Sequence, residues 1–356
     1  MSLENLRKKI DEIDGQIVRL IAQRVRVVTE IGRQKKELGK QIEDKEREEA
    51  ILENIRGLAR QEGISELDID SIYRRIVITA KGLQGTQVAF QGEIGAYSEE
   101  AAFGFFSASI QVKPCESLDG VFKMVEQDKA QFGIVPIENS LEGSISKVYD
   151  LLLDSSLKVS GEIELKVSHC LIASPGATLD SIKRIYSHPQ ALGQCQAFLK
   201  HLNCELIPTY DTAGSVKFIK ERAITNGAAI AGTRAAEIYG MKIIAREIED
   251  SPNNFTRFFI LAKKDSPPTG NDKTSIVFSV RHKPGALFAF LKELADNKIN
   301  LTKVESRPTR QKPWEYNFYL DFEGHHEDPA AKQALANLED SALFIKVLGS
   351  YPKAKQ

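Results

Sequence analysis

Several charged side chains of this 356-residue chain fall where hydrophobic periodicity asks for apolar ones. Near the start, apolar residues recur at Leu6, Ile10, Ile13, Ile17, Leu20, Val27 and Ile31, in steps of mostly three and four, the signature of an amphipathic helix. At about 100° per residue, Arg24, Ile31 and Lys35 lie within about 20° of one another, so two cations share an apolar face. A second helical stretch puts Asp44 and Glu48 on the stripe that Ile51 and Ile55 continue, with Arg47 beside it, and a third spaces Ile76, Ala80 and Gln84 by four. Buried charges are costly unless paired or bound to a ligand. Two readings follow: a helical bundle whose Lys and Arg stems snorkel from the seam, or a cationic pocket for a small polyanion.

A second group of polar residues sits at strand ends. Gly133-Ile-Val-Pro-Ile-Glu-Asn-Ser140 is an apolar run leading into Glu138, Asn139 and Ser140, and Thr256 and Arg257 stand just before the apolar run Phe258–Ala262. The carboxyl ends of strands are where α/β folds bind ligands. Taken by themselves, these residues read as polar turns. His188, before a proline, reads as a turn residue, and His325-His326 as a solvated loop rather than a metal site. No complete dinucleotide, Walker, G-x-S-x-G or H-E-x-x-H motif occurs, and neither a metal nor a redox cofactor is expected. Towards the end, Pro284-Gly285-Ala286-Leu287 opens a helix and Glu305-Ser306-Arg307-Pro308 closes a strand. A helix cap and a strand-ending proline explain them, although backbone donors at a helix N-terminus also suit a carboxylate.

The elements that must position these residues divide the chain into unlike segments. Residues 1–85 contain no proline and read as three helices, the first over about residues 3–38. Such a helix is ~50 Å long, more than two short helices of the same chain can cover, so a partner subunit is implied. Residues 86–264 alternate short apolar runs with amphipathic stretches, a βαβ rhythm with parallel or mixed sheets. Residues 265–273 are polar and rich in Pro and Gly, and read as a linker. Residues 274–356 show a β-α-β-β-α-β order, which is ferredoxin-like. The chain is 42% apolar and 27% charged with a net charge of −1, ordinary for a globular protein and against one devoted to nucleic acid or membrane surfaces. Four cysteines without a C-x-x-C pair, a charged start and no 18-residue apolar run suggest a soluble, cytoplasmic protein.

The spacing L-R-x-x-I-x-x-I-D at Leu6–Asp14, then Arg24, Lys35 and D-x-x-R-E at Asp44–Glu48, resembles the all-helical chorismate mutase family. That resemblance implies that Arg24 and Arg47 bind substrate carboxylates, Glu48 the hydroxyl, and Lys35 and Gln84 the ether oxygen. Asp44 would support the second helix, and Arg7 would reach the partner's site. Such a pericyclic rearrangement needs a folded substrate and donors aimed at the oxygen that gains charge, not an acid, base or nucleophile. Ala80 departs from the family, which often has a hydroxyl side chain there.

The G-I-V-P-I-E-N-S run, Ser187-His-Pro-Gln-Ala-Leu-Gly-Gln-Cys195, Ala228–Met241 and Thr256-Arg-Phe258 together resemble prephenate dehydratase. The implied fold is two α/β lobes around a cleft, like a periplasmic binding protein. Thr256 would stand at the leaving hydroxyl, and Asn139, Ser140, Ser187 and Gln194 would position substrate, with Glu138 nearby and Arg257 as a carboxylate partner. Glu93 replaces a common proline and Gly232 a frequent serine. The G-A-L and E-S-R-P runs resemble those of the ACT domain of the same enzymes, which implies phenylalanine as feedback inhibitor bound by Gly285, Ala286, Leu287, Glu305, Ser306, Arg307 and Pro308. Together the resemblances imply a bifunctional enzyme taking chorismate through prephenate to phenylpyruvate, as a homodimer or tetramer. A dehydratase with a merely dimerising helical segment, and an amino-acid sensor without chemistry, are the alternatives.

Overall fold

The computed structural model describes residues 2–37, 45–83, 86–106, 110–309, 315–339 and 341–354, with the side chains of 33, 35–37, 45–46, 48 and 78–83 outside the description. The chain divides into two compact units, one of Met1–Gln87 with Phe103–Gln111, the other of Val88–Ala102 with Val112–Gln356.

The first unit is helical: α1 (Leu3–Glu37), α2 (Lys45–Glu62) and α3 (Glu66–Leu83). Ser65 caps α3, its hydroxyl accepting the Asp68 N–H at 3.4 Å. α3 is joined to α2 by a charge cluster absent from the sequence reading. Asp70, largely buried, takes Arg56 of α2 at 2.7 Å and Arg74 of its own helix at 2.5 Å. Every member of the α1 stripe named above, from Leu6 to Ile31, is exposed in the single chain. The break expected at Gln84-Gly85 lies outside the described residues.

The second unit contains three sheets. Its first lobe comprises β1 (Gln87–Gln91), α4 (Tyr97–Phe105), β2 (Gln111–Cys115), α5 (Leu118–Glu126), β3 (Phe132–Asn139), β4 (Gly143–Ser144), α6 (Ser146–Asp154) and β5 (Lys158–Lys166). The second lobe follows as β6 (Cys170–Ala173), β7 (Arg184–Ser187), α7 (Pro189–Gly193), α8 (Gln196–Leu199), β8 (Glu205–Pro208), α9 (Thr212–Glu221), β9 (Gly227–Ala231), α10 (Thr233–Tyr239) and β10 (Lys242–Ala245). The chain then returns as β11 (Phe255–Ala262), which completes the first sheet in the order β2-β1-β3-β11-β5, with β4 on β3. The second sheet runs β10-β6-β9-β7-β8, and both sheets are mixed, β1 and β3 being parallel and β11 antiparallel to both neighbours.

The remaining elements are β12 (Asp272–Val280), α11 (Ala286–Asp296), β13 (Leu301–Pro308), β14 (Tyr316–Glu323), α12 (Pro329–Glu339) and β15 (Ala342–Pro352), a β-α-β-β-α-β sheet ordered β13-β14-β12-β15. Helices α11 and α12 cover one face through Phe290, Leu294, Ala334 and Leu338. The other face, through Val277, Tyr319, Leu348 and Tyr351, shares a core with Val135, Leu152, Val159 and Phe259 of the first lobe. The approach is so close that a Cβ on Gly349 would stand 2.1 Å from the Val159 carbonyl oxygen, which only glycine avoids.

Two expectations change here. The stretch read as a linker is anchored. Ser266 donates to the Ser160 carbonyl at 2.7 Å, and its last two residues, Asp272 and Lys273, are buried members of β12. Likewise His325-His326 is not a solvated loop. His325 is 1% exposed and lies 3.1 Å from the Ser266 carbonyl, while His326 bonds Ser350 at 2.7 Å. Polarity alone suggested solvent; packing of β15 against the first lobe supplied partners instead.

Candidate functional site

Between the two lobes of the second unit lies a cleft of about 190 Å³. The β3–β11 rung supplies one of its walls. Asn139 pairs with Thr256 and Glu138 with Arg257, then a bulge brings Phe258 opposite Pro136. Pro136 has no N–H to give the ladder, which is why the irregularity falls there. Because successive strand residues point to opposite faces, Asn139 and Thr256 face the cleft together and Glu138 and Arg257 do not.

Asn139 is buried, and its Nδ2 donates to Thr256 Oγ1 at 3.0 Å, to Asn254 Oδ1 at 2.8 Å and to the Phe255 carbonyl at 3.1 Å. Asn254 Nδ2 donates to Gln194 Oε1 at 2.8 Å, and His169 Nε2 lies 3.0 Å from that same oxygen. His169 Nδ1 is 3.0 Å from the Tyr97 hydroxyl, itself 2.7 Å from the Ser168 carbonyl. A line of polar groups thus runs from Tyr97 to Thr256 across both lobes. Gln194 Nε2 is buried without a protein partner. Burial holds the His169 pKa below the ordinary histidine value, against the pull of Gln194 and of Glu249, and pushes the Tyr97 phenol well up.

Among the described residues, no Lys or Arg side chain lines this cleft. Its donors are hydroxyl and amide groups, together with the amino ends of α4 and α9, whose first turns border it. Asp211 caps α9 by accepting the Gly214 N–H at 3.0 Å, and it also accepts the Glu93 N–H of the first lobe at 3.2 Å. Glu93 crosses to the second lobe through Tyr210 Oη at 2.8 Å and Lys217 Nζ at 3.0 Å. Burial raises its carboxyl, but the hydrogen bonds from Tyr210 and Lys217 outweigh that and hold it below its ordinary value. At the other departure, a Cβ on Gly232 would meet the Tyr97 ring at 3.1 Å, so the usual serine would crowd that ring.

Of the residues expected in this site, the cleft therefore gathers Asn139, Gln194 and Thr256, and not four others. Arg257 is engaged on the opposite face with Glu138 at 3.0 Å, Asp321 at 3.0 Å and Glu162 at 3.4 Å. Burial disfavours its charge, but the three carboxylates and Tyr351 outweigh that and raise its pKa. Glu138 also pairs with Lys303 at 2.9 Å, and Glu162 with Lys273 at 2.7 Å, so three carboxylates and three cations join the first lobe to the C-terminal sheet. Ser140 Oγ accepts the Phe255 N–H and donates to the Asn253 carbonyl, stapling the start of β11. Ser187, fully buried, donates to the Ile230 carbonyl at 2.7 Å and ties β7 to β9. His169, Tyr97 and Asn254 were missed. Asn254 lies two residues before Thr256, whereas nothing local marks His169 or Tyr97.

In the helical unit, Arg24 is half-buried and its Nη1 is buried without a partner, an arrangement that suits an anion. Arg7 is exposed on α1, and Arg47 is exposed on α2. Asp44 and Gln84, with the side chains of Lys35, Glu48 and Ala80, lie outside the described residues. In the C-terminal sheet, Gly285 has φ +79° and opens α11, followed by Ala286 and Leu287. The β13 residues split by face. Ser306 and Pro308 are exposed, while Glu305 accepts from Ser144 and Arg307 pairs with Asp150 at 3.6 Å and donates to Ser146. Glu305 and Arg307 thus hold the first lobe rather than the α11 turn. Among the described residues, no cluster of His, Cys, Asp and Glu could hold a metal, and no helix is long and apolar enough to cross a membrane.

The prephenate dehydratase family profile matches residues 88–266, the chorismate mutase type II profile residues 6–85 and the ACT domain profile residues 274–340. The chain is similar to the bifunctional chorismate mutase/prephenate dehydratase of Aquifex aeolicus (strain VF5), 39% identical over 359 residues, covering 99% of this chain and 98% of the relative. It is equally similar to that of Stutzerimonas stutzeri, 39% identical over 360 residues with the same coverages. The solved structure of a prephenate dehydratase from Arthrobacter aurescens in complex with L-Phe matches with a TM-score of 0.70 at 32% identity, covering 75% of this chain and 90% of that one.

Proposed function

The chain belongs to the bifunctional chorismate mutase/prephenate dehydratase family, and from that premise we propose how its residues divide the two reactions. It is an enzyme of phenylalanine biosynthesis that rearranges chorismate to prephenate and converts prephenate to phenylpyruvate, with an ACT domain for feedback by phenylalanine.

The dehydratase step breaks two bonds of prephenate together. The ring carboxylate leaves as carbon dioxide, its bonding electrons form the new ring double bond, and the ring hydroxyl departs, taking one proton from solvent to leave as water. Negative charge grows on that departing oxygen, so a fixed donor there lowers the barrier. Thr256 is that donor. The observation that carries the assignment is the Asn139 Nδ2 contact at 3.0 Å, which occupies a lone pair of Thr256 Oγ1 and leaves the threonine proton for the cleft. A threonine hydroxyl is a very weak acid, so it donates a hydrogen bond and keeps its proton. Gln194 and the amino ends of α4 and α9 bind the carboxylates, in place of the arginine expected from the sequence.

For the mutase step, Arg24 and Arg47 hold the carboxylates of chorismate, Glu48 its hydroxyl, Lys35 and Gln84 its ether oxygen, and Asp44 supports α2. The unpartnered Arg24 Nη1 supports this reading. Arg7 acts in the site of a second subunit, and the exposed α1 stripe supports a homodimer or a higher assembly of dimers. Phenylalanine binds at the Gly285–Leu287 turn with Ser306 and Pro308, while Glu305 and Arg307 pass its effect to the first lobe. Four free cysteines suit a cytoplasmic enzyme.

The test follows chorismate and prephenate separately, with and without phenylalanine. Thr256→Val should reduce prephenate turnover about 10²–10³-fold, the usual cost of removing one such donor, with chorismate consumption unchanged. Arg24→Ala should do the reverse. If the wild-type protein consumed neither substrate, the assignment would be wrong.

A further inference from the structure

The hydrogen bonds that run from Asn139, behind Thr256, to His169 Nε2 take their direction from one end. The backbone N–H groups of Leu141 and Glu142 point at one terminal atom of the Asn139 amide, at 3.0 and 3.1 Å. A backbone N–H only donates, so that atom is Oδ1 and the other is Nδ2. The Asn254 atom 2.8 Å from Asn139 Nδ2 must then accept, which makes it Oδ1 and leaves Nδ2 to face Gln194. The Gln194 atom 2.8 Å from Asn254 Nδ2 must accept in turn, so it is Oε1. His169 Nε2 stands 3.0 Å from that oxygen, which has no proton to give, and so Nε2 carries one. Reversing any link would set donor against donor or acceptor against acceptor among groups that water barely reaches, His169 being 2% and Gln194 8% exposed.

The other ring nitrogen completes the assignment. The single Tyr97 hydroxyl proton faces both the Ser168 carbonyl at 2.7 Å and His169 Nδ1 at 3.0 Å; with the ring proton on Nε2, a neutral His169 offers Nδ1 as the second acceptor of that three-centre bond. Burial in the cleft wall favours that neutral form, and Glu249, among the described residues the carboxylate bonded to this residue, takes its backbone N–H at 2.8 Å rather than the ring.

We propose that His169 is a positioning residue of the dehydratase: holding its proton on Nε2, it occupies the Gln194 oxygen together with Asn254, so that Gln194 turns only its Nε2 hydrogens towards substrate. Gln194 Nε2 is buried in the cleft wall without a protein partner, as a group reserved for a ligand would be. The opposite orientation would set a carbonyl oxygen against a dicarboxylate. The inference rests on reading the cleft as the prephenate site, and it concerns a residue that need not touch substrate.

Two measurements test it on the full-length enzyme. Nitrogen-15 NMR of the histidine rings at neutral pH should show His169 protonated at Nε2 and unprotonated at Nδ1; the opposite tautomer would overturn the proposal. In kinetics, His169→Phe keeps the ring volume but removes the donor, and should lower kcat/KM for prephenate at least about tenfold. His169→Gln, whose amide N–H can replace Nε2–H, should regain most of that loss. Chorismate turnover, equal in all three proteins, reports that each is folded. Full activity in His169→Phe, or equal loss in both variants, would mean that the ring only fills space. Absence of prephenate turnover in the wild-type enzyme would instead sink the reading of the cleft, and the NMR result would still decide the tautomer.

Discussion

Asn139 and Glu138 are neighbours in the chain, as are Thr256 and Arg257, yet one member of each pair faces the cleft and the other a buried ion cluster. The motif Thr256-Arg-Phe258 therefore serves two faces of the sheet one residue apart, and motif resemblance cannot tell which face a side chain takes. That Thr256, Asn139 and Gln194 would come together was legible from the family resemblance of their motifs, and the cleft gathers all three. Arg257 was misread because a cation beside a catalytic threonine looks like a substrate anchor. Its three carboxylate partners come from strands more than 60 residues away or from across the rung, and no local pattern announces them. Arg257→Met should leave Glu138, Glu162 and Asp321 facing only two cations, and cost about 3–5 kcal/mol of stability, as breaking a buried pair does. Chemical denaturation would measure it. If stability were unchanged while KM for prephenate rose, Arg257 would be a substrate ligand after all.

At the level of elements, the lobes are bridged by side chains as well as by the chain. The turn after β1 reaches the second lobe through Glu93, which Tyr210 before α9 and Lys217 within it both grasp. A residue noticed only as a departure from the usual proline is thus a clasp at the mouth of the cleft. Its partners, more than 115 positions away, explain why sequence showed only the departure. Both ends of the Glu93–Lys217 pair are partly exposed, so its worth is modest, on the order of 0.5–1 kcal/mol. Glu93→Ala should accordingly raise KM for prephenate about twofold to fivefold with kcat kept; an unchanged KM would mean that the clasp plays no part in holding the closed cleft. The β-α-β-β-α-β order of the C-terminal segment was readable from alternation and helix starts alone. What was not readable was that its uncovered face, through Tyr319 and Tyr351, would be buried against the first lobe.

For the whole molecule, the decisive surface is the α1 stripe. Six of its residues, Leu6, Ile10, Ile13, Ile17, Leu20 and Val27, are each more than 40% exposed in the single chain, an extent of apolar surface that monomers seldom leave in water. The period was plain in the sequence, and so was the length that no short neighbour could cover. Replacing Ile13 and Ile17 together by Asp should dissociate the subunits in analytical ultracentrifugation. Mutase activity should fall at least tenfold while prephenate turnover continues, if Arg7 acts in a second subunit's site as proposed above. A variant that stayed associated, or a monomer that kept full mutase activity, would remove the shared site.

The return of β11 between β3 and β5 has a consequence for how the enzyme is made. On the ribosome, β1 to β5 emerge first, but their sheet stays open at its centre until the whole second lobe has been synthesised and β11 follows it. The second lobe, built from consecutive residues, can fold during synthesis; the first must wait, exposing two strand edges meanwhile. Pairings across roughly a hundred residues are slow to form. Thr256 arrives on that last strand, so its pairing with Asn139 across the cleft wall forms only when β11 is inserted.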